Sequence, residues 1–273
     1  MPERKAKKQK VKKISLRVRR EIRKLSLMDN AFMNLVLEDN IPCTEEILRI
    51  ILSKEDLSVK SVRTQKMFQG FSRSLYLDVY AEDSNGVIYN IEIQQADDGA
   101  DARRTRFHTG MIDVHALKAG QDFRELPEVY VIFITRNDVL GLNQAIYTIH
   151  KYIDGSLKRF DDGAHVIYIN GSAENDGTEI WKLIHDLRST EANDMYLPKL
   201  SERVRFLKED EEGVMKMSGY FDERQAKAVE KAQKKSSEKT ALSLIELGKL
   251  TLEEIAKCTG LTLRRVQALA KTL

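Results

Sequence analysis

The residues best placed to do chemistry lie between positions 75 and 95. Leu75–Asp83 and Val87–Gln95 each alternate apolar and polar side chains with period two, and Ser84-Asn85-Gly86 separates them. That pattern predicts a β-hairpin. A two-residue Asn85-Gly86 turn would pair Ser84 with Val87 and put Asp78 and Glu92 on opposite faces. A three-residue loop, with Gly86 left-handed in a bulge, pairs Asp83 with Val87 and sets Asp78 directly across from Glu92. The side chains favour the second register. One face then reads Leu77, Val79, Ala81 against Ile93, Ile91, Tyr89, an apolar set suited to a core. The other carries Tyr76, Asp78, Tyr80 against Gln94, Glu92, Asn90. Carboxylates directly opposite each other have Cβ atoms about 4.5–5.5 Å apart and repel. No Lys or Arg on either strand relieves them, whereas a divalent cation would; Mg²⁺ is typically held by one or two carboxylates with waters and phosphate oxygens. By spacing alone, a solvated acidic face fits the same pair equally well.

The elements that must position this hairpin can be read on either side of it. Asp29-Asn30 caps a helix with Phe32, Leu35 and Val36 on its apolar side, and Thr44-Glu45-Glu46 opens a second over Ile47, Leu48, Ile50 and Ile51. Ala100–Ala119 reads as a helix with an apolar stripe of Phe107, Met111, Val114 and Leu117. Val129–Thr135 is a continuous apolar run, expected as a strand buried on both faces. Ala145–Ile153 and His165–Asn170 are further strand candidates, and Thr178–Leu187 is a helix containing the only tryptophan, Trp181. Asp222–Leu247, rich in Ala, Lys, Glu and Gln, predicts one long helix or two. Two short helical patterns follow, Leu252–Cys258 and Leu263–Leu273, with Gly260 at a tight turn and Thr262 as a cap. These resemble a helix-turn-helix pair, in which Arg264, Arg265 and Gln267 lie early on the second helix. A helical hairpin that packs on protein is the competing reading.

The hairpin strings Leu77-Asp78-Val79-Tyr80-Ala81-Glu82-Asp83 and Tyr89-Asn90-Ile91-Glu92-Ile93-Gln94 resemble the core of the PD-(D/E)XK nuclease family of transposases, the recombination-promoting nucleases. Met28-Asp29-Asn30-Ala31-Phe32 is similar to that family's opening acidic helix. Arg104-Thr105-Arg106-Phe107-His108 with Met111-Ile112-Asp113 is similar to its basic helix, and Leu126-Pro127 through Ile134 to the next core strand. The resemblance spans about residues 26–250. It implies an α/β fold, a restriction-endonuclease-like mixed sheet flanked by helices, here with a helical C-terminal extension. It implies Mg²⁺- or Mn²⁺-dependent cleavage of DNA, linked to recombination or mobile elements. Carried over, Asp78 and Glu92 are the metal ligands, Gln94 stands where the wider superfamily has Lys, and Asp29 is an additional acid. Arg104 and Arg106 would meet phosphate. Gln94 can orient water but supplies neither a charge nor a proton shuttle. Phe107-His108 replaces the aromatic pair typical of the basic helix, and Met33 stands where a lysine is expected.

Charge adds a second argument. Net charge is only +3 over 273 residues, but residues 1–24 carry +10, residues 25–222 carry −12 and residues 223–273 carry +5. Basic ends on an acidic body suit a polyanion held next to carboxylates. The expected division is a basic tail over 1–24, a nuclease-like core over 25–218 and a helical extension over 219–273, with Ile14, Leu16, Val18 and Ile22 able to form one helical face on binding. Other chemistries lack their residues. Cys43 and Cys258 have no ligand spacing, the five histidines form no HExxH, and no phosphate-binding glycine loop or serine elbow is present. His108 and His115 are expected as surface or groove residues. Two distant cysteines and no apolar leader after the basic start point to a cytoplasmic chain with no membrane span. Double-strand cutting would need two active sites, which makes a homodimer an expectation. The competing class is a catalytically silent DNA- or protein-binding module on the same fold, and cleavage of RNA in place of DNA is compatible with the motif.

Overall fold

A computed structural model describes residues 14–70, 72–95 and 97–271. Six segments form one mixed sheet: Val59–Phe68 (β1), Leu75–Asp83 (β2), Ile88–Gln94 (β3), Val129–Thr135 (β4), Ile146–Ile149 (β5) and Ala164–Asn170 (β6), in the order β1-β2-β3-β4-β6-β5. β1, β2 and β3 are antiparallel neighbours, β3, β4 and β6 run parallel, and β5 returns antiparallel to β6. β4 lies between two parallel partners and buries every residue except Tyr130, as its unbroken apolar run requires.

The hairpin adopts the three-residue-loop register, with Val79 opposite Ile91 and Ala81 opposite Tyr89. Asp83 N–H donates to the Val87 carbonyl at 3.1 Å, and Gly86 takes the left-handed φ of +82° that the bulge needs. Its polar face is not solvated. Asp78, Tyr80, Asn90 and Glu92 are all buried, and Arg104 and His108 of the helix Ala102–Ala116 (α4) lie against Glu92.

Helices flank the sheet: Leu16–Lys24 (α1), Asn30–Leu37 (α2), Ile41–Leu52 (α3), then α4, Glu179–Arg188 (α5) and Pro198–Glu209 (α6); Glu211–Leu247 (α7) follows in the chain. α2 and α3 pack on β1, and α2 also on β2. The chain thus has the restriction-endonuclease-like α/β fold, a mixed six-stranded sheet between helices with further helices at the C-terminus.

Several boundaries differ from those read in the sequence. α3 starts at Ile41, not Thr44: Asn40 caps it, accepting from Cys43 N–H, and Pro42 sits in the first turn, where its missing donor is harmless. α4 turns Thr105, His108 and Ile112 inward, while Phe107 and Val114 of the expected stripe are exposed. Polar groups under the helix reward that rotation. The basic opening segment, expected as a tail, is helical over Leu16–Lys24 and buries Ile22, with Ser15 as its cap; residues 1–13 lie outside the described residues. β1 and α6 are elements that the sequence pattern does not announce. α6 has no side-chain cap of its own; the Glu46 carboxylate on α3 accepts from Lys199 and Leu200 N–H at 3.2 and 3.0 Å instead. Buried Lys208 on α6 donates its ammonium to the carbonyls of Arg23, Leu25 and Thr190, tying the end of α1 to the core.

Two compact units divide the chain between Val214 and Met215. In the second, the last turns of α7, Leu252–Thr259 (α8) and Leu263–Ala270 (α9) close on Ala241, Ile255, Val266 and Leu269. Among the described residues, no helix is long and apolar enough to cross a membrane.

Candidate active site

The β2–β3 pairing runs from Glu82/Ile88 to Val79/Ile91, and the next pair in that register is Asp78 and Glu92. Here the carboxylates take over the strand hydrogen bonds. Asp78 N–H donates to Glu92 Oε1 at 3.0 Å, and Ile93 N–H donates to Asp78 Oδ2 at 3.3 Å. The two acids are 7% and 1% exposed, so their charges are held out of water. Neutral amides surround them. Asn30 Nδ2 donates to Asp78 Oδ2 at 2.8 Å, Gln65 Nε2 to Asp78 Oδ1 at 2.9 Å, and Asn90 Nδ2 to Glu92 Oε1 at 2.8 Å. The nearest cation is Arg104, whose Nη2 lies 3.5 Å from Glu92 Oε2. Burial pushes the Glu92 carboxyl up to about 8, with the charge of Asp78 adding to it and the Asp78 N–H and Arg104 opposing. Burial also raises Asp78, against the bonds from Asn30, Ile93 and Gln65 and the charge of Arg104.

Two local features shape this centre. Gln65 in β1 stands at the register position opposite Asp78 and has a φ of +52°, a conformation L side chains rarely adopt. That kink accompanies the bond its amide makes to Asp78. His108, expected as a surface or groove residue, is instead fully buried. Arg104 Nε donates to His108 Nε2 at 3.3 Å, which leaves the ring proton on Nδ1, 3.3 Å from Asn90 Oδ1 and 3.7 Å from Glu92 Oε1. Burial and the charges of Arg104 and Arg73 hold the imidazole down at about 4, so it is neutral near pH 7. Arg104 also donates from Nη1 to the Gly99 carbonyl at 3.1 Å.

The remaining candidate residues distribute unevenly. Gln94 follows Glu92 by two positions on the same strand face, with its amide oxygen over Gly99, where any side chain would collide with it. Asp29 is not bonded to the carboxylate pair. It accepts from Ser26 N–H at 2.9 Å and, at 3.4 Å, from Gln95 Nε2, while its neighbour Asn30 makes the contact to Asp78. Arg106 is exposed on α4. Arg264 and Gln267 are exposed on α9, and Arg265 Nε donates to Glu238 Oε1 of α7 at 2.8 Å.

The family described as PD-(D/E)XK nuclease family transposase has a model that matches residues 26–252. The chain belongs to this family. Comparison with curated proteins and with solved structures returns no match. The hairpin register predicted Asp78 and Glu92 opposite each other, as they stand; Gln94 and Arg104 entered through the family resemblance, and Arg104 lies beside Glu92. The sequence reading missed the amide shell. Asn30 adjoins the singled-out Asp29, and His108 lies one helical turn beyond Arg104, a spacing that makes them neighbours. Gln65 belongs to the strand that the pattern does not announce.

Two buried carboxylates are donors of the kind a hard divalent cation takes, and among the described residues the cation beside the pair is Arg104, 3.5 Å from Glu92. Among the described residues, no group of three or more His, Cys, Asp or Glu gathers to hold a metal.

Proposed function

We propose that this chain is a divalent-cation-dependent endonuclease that hydrolyses DNA phosphodiester bonds in recombination of the kind its family name implies. The observation that carries the reading is the buried Asp78/Glu92 pair just beyond the end of the β2–β3 pairing, held by neutral amides and, among the described residues, faced by Arg104. Two carboxylates are removed from water only at substantial cost, and a bound cation offsets it.

Asp78 and Glu92 would hold Mg²⁺ or Mn²⁺. When bound, such an ion acidifies a water and polarises a phosphoryl oxygen. The chain's own residues then do the following. The Gln94 amide oxygen accepts from the attacking water and orients it, and cannot take its proton. Arg104 pairs with the scissile phosphate through its guanidinium fork. His108 holds Arg104 from behind, and Asn90 and Gln65 fix the carboxylates. Arg106, exposed on the same helix, contributes phosphate affinity.

Conversion of supercoiled plasmid to nicked or linear forms tests this. The full chain is expected to cut with Mg²⁺ and not with chelator, and Asp78→Ala and Glu92→Ala to fall at least a hundredfold. Cutting by both variants at the wild-type rate would overturn the assignment.

A further inference from the structure

We infer that the C-terminal unit reads double-stranded DNA through the exposed face of α9, so that target choice is carried by different residues from cleavage. This rests on the reading of DNA as substrate. α8 and α9 are eight residues each, too short to be stable alone. They are held instead by a shared core with the end of α7, where Ala241, Ile255, Val266 and Leu269 are buried. Their ends are fixed. Thr251 and Glu254 form a reciprocal capping box, and Thr262 Oγ1 accepts from Arg265 N–H at 3.3 Å. Between them the turn is only Gly260-Leu261-Thr262, with Gly260 at φ +70°. Two short helices joined by a three-residue turn containing glycine, braced by a third, is the helix-turn-helix arrangement.

With Val266 and Leu269 turned inward, Arg264, Gln267, Ala268 and Lys271 share the outer side at helical spacing. All four are exposed, and α9 carries no acid. The geometry takes Arg265 out of this face, because its guanidinium is bonded to Glu238 and braces α9 on α7. The chemistry left outside matches base edges. An arginine fork pairs with guanine, a glutamine amide pairs with adenine, a small Ala lets the helix approach, and Lys271 meets phosphate. An α-helix with its side chains is about 10–12 Å across and fits a major groove about 12 Å wide. A helix that docks on protein usually presents large apolar side chains, and this face has none beyond Ala268. The +5 charge of residues 223–273 supplies the attraction to a polyanion.

Selection of random duplexes by the full chain in chelator, followed by fluorescence anisotropy on selected and scrambled duplexes, tests this without cleavage. The wild type is expected to prefer the selected duplex at least tenfold. Arg264→Ala and Gln267→Ala should each lose about 5- to 100-fold on that duplex and less than threefold on the scrambled one. Lys271→Ala should weaken both and lower the salt slope by about one. Helicity by circular dichroism checks that each surface variant is folded. A wild type without preference, or variants that keep it, overturns the inference, whether α9 then serves a protein partner or none. A chain that cuts plasmid without duplex preference refutes only this inference. One that selects a duplex but never cuts refutes only the nuclease reading.

Discussion

At the scale of the residue, Glu92 sets the behaviour of the site. Its carboxyl, raised to about 8, keeps a proton in the folded chain that the unfolded chain releases near its ordinary 4.5. The folded state therefore binds more protons between those values, and Glu92 makes stability fall as pH rises through that window. Glu92→Gln keeps the side-chain shape and removes the titration. In chelator, the variant is expected to melt several degrees above wild type at pH 8, reflecting a few kcal/mol, and close to it at pH 4. A variant that melts lower at pH 8 would contradict the burial of an unneutralised acid. Gln65 offers a second test of the same centre. Its left-handed backbone costs about 1–2 kcal/mol for a side-chain residue, a strain that glycine escapes. Gln65→Gly should leave thermal stability equal or higher while plasmid cutting drops, because the bond to Asp78 is gone. A fall in stability with cutting unchanged would show that the kink serves the fold and not the site.

At the scale of the element, the amino end of the chain is secured by side chains from distant helices. Lys208 satisfies three carbonyls from α1, the segment after it and the loop before α6. Lys208→Met removes those bonds and leaves buried acceptors unmet. It should cost about 2–4 kcal/mol and lower the melting temperature by about 5–10 °C in a thermal melt. An unchanged melt would mean that the Lys208 bonds to these carbonyls do not stabilise the fold. Such long-range ties are invisible in sequence, which explains what could and could not be read there. The hairpin register was legible because period-two alternation and Gly86 left one consistent pairing. β4 was legible because a buried parallel strand must be apolar on both faces. β1 was not: its alternation is interrupted at Gln65, and its polar residues serve the neighbouring strand. The orientation of α4 was misread because buried Thr105 and His108 look like surface residues until Asn90 and Glu92 are placed beneath them.

At the scale of the whole molecule, the sequence's near-neutral charge conceals a division between parts. The acidic central stretch contains the Asp78/Glu92 pair, and the positive ends flank it in sequence. Family membership over residues 26–252 includes all of α7 and stops at the first residue of α8, so α8 and α9 lie almost wholly beyond the family match. The proposed cleavage residues lie inside that match and the proposed reading residues of α9 outside it, and each proposal is testable by its own residues. The cleavage reading depends on the central claim that the two buried carboxylates are a cation site. Isothermal calorimetry of the full chain with Mn²⁺ or Mg²⁺ tests it most directly. Wild type should bind at one saturable site with release of protons, measured in buffers of different ionisation enthalpy, and Asp78→Asn and Glu92→Gln should abolish that binding. Binding that persists unchanged in both variants, or no binding by the wild type, would contradict the account.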